Sequence, residues 1–492
     1  MTPKKLQNFL SDAVGKFGGY PAVISGRGEM TYREYFKNIL NSALNLKKTG
    51  FRNGEIVAVI ATPGPEYVIL LQALWQQGII ALLVNTRWPA SLLNKQLNKL
   101  EIQNVVVEER LGNLSYIENV KQLNLKSLVL SDPSNFTGFD FDKNHCDLDR
   151  PATIIFTSGS SGEPKAAMHT LENHFFNALG SNKNIIVEPG DRWLLSLPLY
   201  HVGGLAIIFR MMLGGGAVVI PDHTSDLESS LKKFKPSHIS LVPTQLYRLL
   251  QQNKVIEELG RMKAILLGGG SIPDFLIRQS LAIGLPIHTS YGSTEMASQI
   301  TTSRVGDYPD KLRTSGKLLP YRELRISSEG EILVKGKTLF RGYLDRNQIS
   351  KTSDAEGWFR TGDLGYLDDD GYLIVTGRKD NLFISGGENI QPEEIEKAIL
   401  QNAGVMDAIV VPVKNEEFGE RPVAYVKTEQ GTKLDFLHIK KHLEKELPRF
   451  KVPDYFLPWP EDLLGEGMKL KRQSLITNAE KILIDQLRAH KN

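Results

Sequence analysis

Short β-branched runs alternate with helix-length stretches through residue 300, and this alternation restricts the chain to sheets with helices packed on their faces. Residues 56–61 are followed by a helical stretch at 66–77, and 79–84 by 91–100; apolar runs at 104–107, 127–130, 218–220, 238–242 and 264–267 continue the pattern. The apolar run 67–84 is long enough to raise the question of a membrane span. Gln72, Gln76, Gln77 and Gly78 interrupt it, so it reads as a buried helix followed by a buried strand. From Glu323 the pattern changes: 331–335 and 371–375 read as short strands between Gly/Asp turns, which predicts a β-rich subdomain. Beyond Arg378, a capped helix at 392–401, strands at 408–413 and 423–427 and a helix at 434–447 make a compact α+β domain. The expected fold class is α/β, with a large N-terminal domain at 1–379 and a small C-terminal domain at 380–492, the boundary falling at Lys379 and Asp380.

A chain of 492 residues exceeds what one hydrophobic core usually serves, which agrees with two domains. The formal net charge of +3 gives no argument for nucleic acid or a membrane surface as partner, so any anion site must be local. One cysteine, Cys146, excludes an internal disulfide and a cysteine-rich metal site, and suits a cytoplasmic protein. The opening residues 1–7 lack the apolar core of a signal peptide, and no secretion is expected.

After the apolar run 152–156 comes a loop of Thr157, Ser158, Gly159, Ser160, Ser161 and Gly162, then Glu163, Pro164 and Lys165. Glycines admit an anion close to the backbone, hydroxyls add donors without bulk, and a lysine supplies a point charge, so the stretch reads as a phosphate cradle. Pro164 stands where a Walker A loop needs glycine. Taken alone, such a loop is more often a solvated turn.

Three later motifs change that weighing: Tyr291-Gly-Ser-Thr-Glu295, Thr361-Gly-Asp363 and Gly377-Arg-Lys-Asp380. With this ordered set, the chain from about Leu6 to Leu475 resembles the superfamily of adenylate-forming enzymes that includes acyl- and aryl-CoA synthetases, adenylation domains and firefly luciferase. The resemblance implies that a carboxylate attacks the α-phosphate of ATP and that a thiol then displaces AMP. It implies Mg2+ with ATP as cofactor, CoA as co-substrate and a mobile C-terminal domain. Lys165 and the loop backbone are expected to bind the β- and γ-phosphates, Tyr291 to face adenine, Thr294 to donate to the α-phosphate, and Glu295 to contact the metal. Gly268, Gly269 and Gly270 would border adenine and the acyl pocket, with Ser293 beside it. Asp363 and Arg378 would reach the ribose, and Asp380 would be the hinge. The catalytic lysine is expected at Lys469, three residues before Arg472, although Met468 replaces the usual glycine and Lys471 is a rival.

His201, in Leu197-Pro-Leu-Tyr-His-Val-Gly-Gly204, would line the acyl pocket, and Arg210 follows in an apolar stretch. An arginine at that position resembles a feature of 2-succinylbenzoate:CoA ligases, whose aromatic carboxylate needs a permanent cation, for which a planar guanidinium is suited. The expected partners are therefore ATP, CoA and an aromatic carboxylic acid; homo-oligomerisation stays open. The competing readings are another aryl- or acyl-CoA ligase, a ligase that loads a carrier-protein thiol, and a non-catalytic nucleotide-binding relative. The last would be expected to have lost Lys165, Glu295, Asp363 or the late lysine.

Overall fold

The computed structural model describes residues 9–111, 117–129, 147–158, 163–222, 226–346, 348–385, 388–415, 417–429, 435–460 and 472–489. By its internal contacts the chain divides into two compact units. The first comprises residues 1–272, 279–324 and 334–359, and the second comprises 273–278, 325–333 and 360–492. The expected boundary at Lys379 and Asp380 falls within the second unit's span.

Two large sheets build the first unit. In the nine-stranded sheet, Ile287–Ser293, Ala264–Leu267, His238–Leu241, Arg192–Leu194, Ala217–Val219 and Pro21–Ser25 lie side by side in parallel. Parallel strands are buried on both faces and so read as unbroken apolar runs, which is why their sequence signal is strong. In the eight-stranded sheet, Ile56–Ile60 sits between Ile80–Leu83 and Asn104–Val107. Alternate residues of these strands serve two cores. Val57, Val59, Ala81 and Leu83 join a core with Trp75, Phe209 and Trp193, while Ala58, Ile60, Leu82 and Val105 join one with Leu93 and Leu97. The stretch 67–84 is the buried helix Pro65–Gln76 and the buried strand Ile80–Leu83, as expected. Among the described residues no helix is long and apolar enough to cross a membrane.

Some local readings shift. The run 127–130, expected to continue the sheet, is the helix Leu125–Val129 as far as it is described, because its apolar side chains cover the helices Tyr32–Lys48 and Pro65–Gln76 instead of pairing with a strand. A polar edge strand, Lys121–Asn124, precedes it unannounced by any apolar run. The strand read at 371–375 runs as Leu373–Arg378. The helix at 392–401 is Pro392–Ile399; proline at its first position starts it, without a side-chain cap.

The second unit holds a hairpin, Phe359–Leu367 with Leu373–Arg378, and a five-stranded sheet of which Val405–Asn415 and Gly419–Thr428 are the long strands. One face of that sheet packs Val410, Ala424 and Val426 on Ile395, Ile439 and Leu443; the other packs Val411, Val423 and Tyr425 on Leu475 and Ala479. Arg472 opens the helix Arg472–Ala489 and bridges Glu396 at 2.6 Å. That use of Arg472 is structural.

Candidate active site

Thr157 and Ser158 do not begin a loop but end the strand Pro151–Ser158, which folds back on Pro164–Thr170 with Thr157 opposite Lys165. The phosphate-cradle candidate is thus flanked by two paired antiparallel strands, in contrast to the strand-then-helix flanks of a Walker A loop. Gly159, Ser160, Ser161 and Gly162 lie outside the described residues. Ala166, directly after Lys165, is a buried strand residue paired with Phe156 and Leu344.

The second motif is a hairpin. Ile287–Ser293 runs antiparallel to Ser298–Thr302, joined by a short 3-10 turn over Thr294–Met296. Non-glycine residues close the turn at positive φ, Ala297 at 56° and Ser298 at 136°. Such backbone persists only where its surroundings hold it. The structure brings this hairpin and Lys165 to one aromatic ring: Lys165 Nζ stands 5.2 Å from the centroid of Tyr343, and the Tyr343 hydroxyl donates to Glu295 Oε1 at 2.6 Å. The Phe340 amide donates to the Glu295 carbonyl at 2.8 Å, fixing the same residue by its backbone. A lysine from one motif and a carboxylate from another, about 130 residues apart, therefore flank one tyrosine.

Gly268, Gly269 and Gly270 leave the parallel strand Ala264–Leu267 at its carboxyl end, the edge where open α/β sheets bind ligands. At Gly268 a β-carbon would lie 2.7 Å from Ser290 Oγ, and Gly269 has φ +81°. Neighbouring Tyr291 and Ser293 close the next strand; Ser293 Oγ is buried and has no hydrogen-bond partner among the described residues.

Arg210 lies on the helix Val202–Gly214, which begins after His201 and ends at left-handed Gly215. His201 is exposed, its ring edge-on to Tyr200. The Arg210 side chain is fully buried over the Trp193 ring, with Nη2 3.4 Å from Ser298 Oγ. Its Nε and Nη1 have no hydrogen-bond partner among the described residues. Ser298 is also the cross-strand partner of Ser293, so the unpaired guanidinium nitrogens and the unpaired Ser293 hydroxyl belong to one neighbourhood. Burial alone pushes the guanidinium down to about 9, and among the described residues no carboxylate pairs with it. A buried cation left so is costly, and the arrangement is what a bound anion would relieve.

The AMP-binding enzyme family matches residues 10–344, and the AMP-binding enzyme C-terminal domain matches residues 394–463. The chain belongs to this family. This AMP-binding enzyme is 32% identical over 478 residues to the 2-succinylbenzoate–CoA ligase of a Geobacillus strain, covering 93% of this chain and 95% of that one. It is 34% identical over 451 residues to the Bacillus licheniformis enzyme of the same name, covering 88% of this chain and 92% of that one. Among solved structures, the o-succinylbenzoate CoA synthetase of Bacillus subtilis in complex with its acyl-adenylate intermediate matches with a TM-score of 0.84 at 30% identity, over 95% of this chain and 98% of that one. The same Bacillus subtilis enzyme with ATP and a magnesium ion matches with a TM-score of 0.83 at 30% identity, also over 95% and 98%.

In the second unit of the AMP-binding enzyme, Asp363 and Arg378 are cross-strand partners joined at 2.7 Å, and Arg378 also reaches Asp380 at 3.3 Å. Gly362 between Thr361 and Asp363 has φ +73°, and a β-carbon there would sit 2.9 Å from Arg378 Nη2, so glycine is what lets the arginine close on Asp363. Lys469, Met468 and Lys471 lie outside the described residues, as does Cys146.

Sequence reasoning missed Tyr343, His169 and Asn177. Tyr343 carries no motif of its own. A histidine directly after the apolar residues Ala166, Ala167 and Met168 was the available signal for His169, and an Asn173/Asn177 pair four residues apart on one helix face the signal for Asn177.

Burial holds four histidines neutral among the described residues: His169 and His238 are pushed down to about 4, His174 well below its ordinary value, and His288 below it. The unfolded chain takes up protons at these positions that the folded chain refuses. Stability is therefore expected to be intact above about pH 6.5 and to fall as pH drops toward 4, with each pKa unit of depression worth about 1.4 kcal/mol. Denaturant midpoints across that range check this, and His238→Gln should make the fall shallower.

Proposed function

We propose that the chain activates 2-succinylbenzoate with ATP to an acyl adenylate and passes the acyl group to CoA. The observation that carries the choice of acid is Arg210, a fully buried cation of which two nitrogens, like the hydroxyl of Ser293 across the strand from its partner Ser298, find no partner among the described residues. A monocarboxylic substrate, once its carboxylate reacts, would leave that charge unanswered; the second, aromatic carboxylate of succinylbenzoate answers it. The names of the relatives agree with this reading.

In the first half-reaction a substrate carboxylate oxygen forms a bond to the α-phosphorus and pyrophosphate leaves. Lys165, with the loop before it, neutralises the β- and γ-phosphates, and the Thr294 hydroxyl donates to the α-phosphate where charge accumulates. Glu295 fits a magnesium ion that arrives with ATP: it offers hard oxygen oriented by the Tyr343 hydroxyl, and no cluster of three metal-binding side chains occurs among the described residues, so the remaining ligands would be phosphate oxygens and water. When bound, that ion supplies charge neutralisation at the phosphates. Tyr291 faces adenine, Gly268, Gly269 and Gly270 border it, and His201 lines the acid pocket. In the second half-reaction the CoA sulfur attacks the acyl carbonyl, AMP leaves and the thiol proton is released.

Asp363 and Arg378 bind the ribose, Lys469 completes the adenylating site, and Asp380 is the hinge at which residues 380–492 reorient between the half-reactions. Lys379–Asn381 is a single 3-10 turn. Proline at 380 disfavours the helical conformation of Lys379 before it and fixes its own φ. Asp380→Pro is expected to retain adenylation and lose about tenfold or more of thioester formation. Pyrophosphate release and thioester formation, assayed separately, check it.

The defining experiment is pyrophosphate release over a panel of carboxylic acids with and without CoA. Succinylbenzoate should be the preferred acid; preference for a monocarboxylate would overturn the assignment of Arg210.

A further inference from the structure

The helix Leu171–Asn182 follows directly from the strand that carries Lys165, and its polar face is spent on carbonyl groups of other segments. A reciprocal capping box with Thr170 starts it: the Asn173 amide donates to Thr170 Oγ1, and Asn173 Oδ1 accepts from the Thr170 amide. That leaves Asn173 Nδ2 to donate to the carbonyls of Lys337 and Leu339, both at 2.9 Å. One turn later, fully buried Asn177 donates through Nδ2 to the carbonyls of Met296 at 3.0 Å and Gln299 at 3.1 Å. His169, at the end of the strand, meets the carbonyl of Thr294 at 2.7 Å through Nε2. A carbonyl only accepts, so Nε2 carries the proton.

These contacts converge on Glu295. Asn173 holds the segment whose Phe340 amide and Tyr343 hydroxyl grip Glu295, while Asn177 and His169 hold the turn on which Thr294 and Glu295 sit. The turn needs such support. A register shift between Tyr291 and Gly292 breaks the hairpin ladder, and Ala297 and Ser298 sit at positive φ without being glycine. Its carbonyls at 294, 296 and 299 each meet a donor outside the hairpin, that of Thr294 in addition to the Ala297 amide at 3.0 Å.

We infer that Asn177 and His169 are positioning residues for adenylate formation, which act by pinning the carbonyls of Thr294, Met296 and Gln299 and so fixing the Thr294 hydroxyl and Glu295 carboxylate relative to ATP. This rests on the roles proposed for Thr294 and Glu295. Neither residue touches the reacting atoms; their effect runs through the turn.

The test compares Asn177→Ala, His169→Leu, His169→Gln and Glu295→Ala in the full chain, with acid-dependent pyrophosphate release and thioester formation from preformed adenylate measured on the same preparations. Asn177→Ala and His169→Leu are expected to lower kcat for pyrophosphate release by about tenfold to a hundredfold, as a displaced catalytic group does. KM for the acid should stay, and the Mg2+ concentration giving half-maximal rate should rise. Thioester formation from supplied adenylate should persist in both, which shows that the folded fraction is intact. His169→Gln, which keeps an N–H at similar reach, should recover most of what His169→Leu loses. Wild-type adenylation in Asn177→Ala and His169→Leu, or equal losses in both half-reactions, or no recovery by glutamine, overturns the inference. If Glu295→Ala itself adenylates normally, it is the reading of the site that fails, whatever the other variants do.

Discussion

Arg210→Met is expected to weaken binding of 2-succinylbenzoate by about 2–5 kcal/mol while raising the thermal stability of the ligand-free protein. The two effects have one cause. Arg210 is fully buried, spends one nitrogen on a 3.4 Å contact with Ser298 and stacks on Trp193, but among the described residues no carboxylate pairs with it. The folded protein therefore carries the desolvation cost of a cation that the acid is to neutralise, and an apolar side chain of similar length removes that cost together with the binding. Arg322, buried nearby and likewise pushed down to about 9 by burial first and the Arg210 charge second, adds to the penalty. Isothermal titration with succinylbenzoate and with a monocarboxylate analogue, alongside thermal unfolding without ligand, decides the matter. A variant that loses both acids equally and also melts earlier would make Arg210 a packing residue and remove the argument for a dicarboxylate.

The α/β architecture was legible because parallel strands buried on both faces announce themselves as apolar runs; Asn104–Val107 and Ala264–Leu267 begin and end where the residues alone put them. Edge elements were not, since Lys121–Asn124 pairs by its backbone, exposes Lys121 and Gln122 and offers the core only the half-buried Leu123, which leaves little hydropathic trace. The same division runs through the candidate site. Lys165 stands in a loop whose composition fits phosphate chemistry, and Thr294 and Glu295 in a motif named through its resemblance to the adenylate-forming enzymes, so they could be named from the chain. Tyr343, which links two of them, sits in an unremarkable strand and is significant only through a contact made across the fold. Asn177 is similar: one amide in a helix says nothing until the carbonyls it meets are known. Asp363 and Arg378 were each named alone, and their pairing follows from the register of one hairpin.

Lys165→Ala and Glu295→Ala should each lower acid-dependent pyrophosphate release by on the order of a hundredfold or more, the usual loss when a preorganised electrostatic partner of the transition state is removed. Both should leave thioester formation from preformed adenylate far less affected, because the groups act on the triphosphate and not on the thiol. Tyr343 separates the two contributions. Its ring lies under the Lys165 ammonium at 5.2 Å, and its hydroxyl orients the Glu295 carboxylate at 2.6 Å. Tyr343→Phe keeps the aromatic face for the lysine and deletes only the hydrogen bond to Glu295. Its loss should be about tenfold, the cost of one charge-assisted hydrogen bond of about 1.5 kcal/mol, and should appear as a raised requirement for Mg2+ with little change in the apparent KM for the acid. Tyr343→Leu removes the face as well and should fall further, toward the Lys165→Ala level. If phenylalanine and leucine behaved alike, the ring would contribute nothing to the placement of Lys165, and the lysine would have to be held by the hairpin alone.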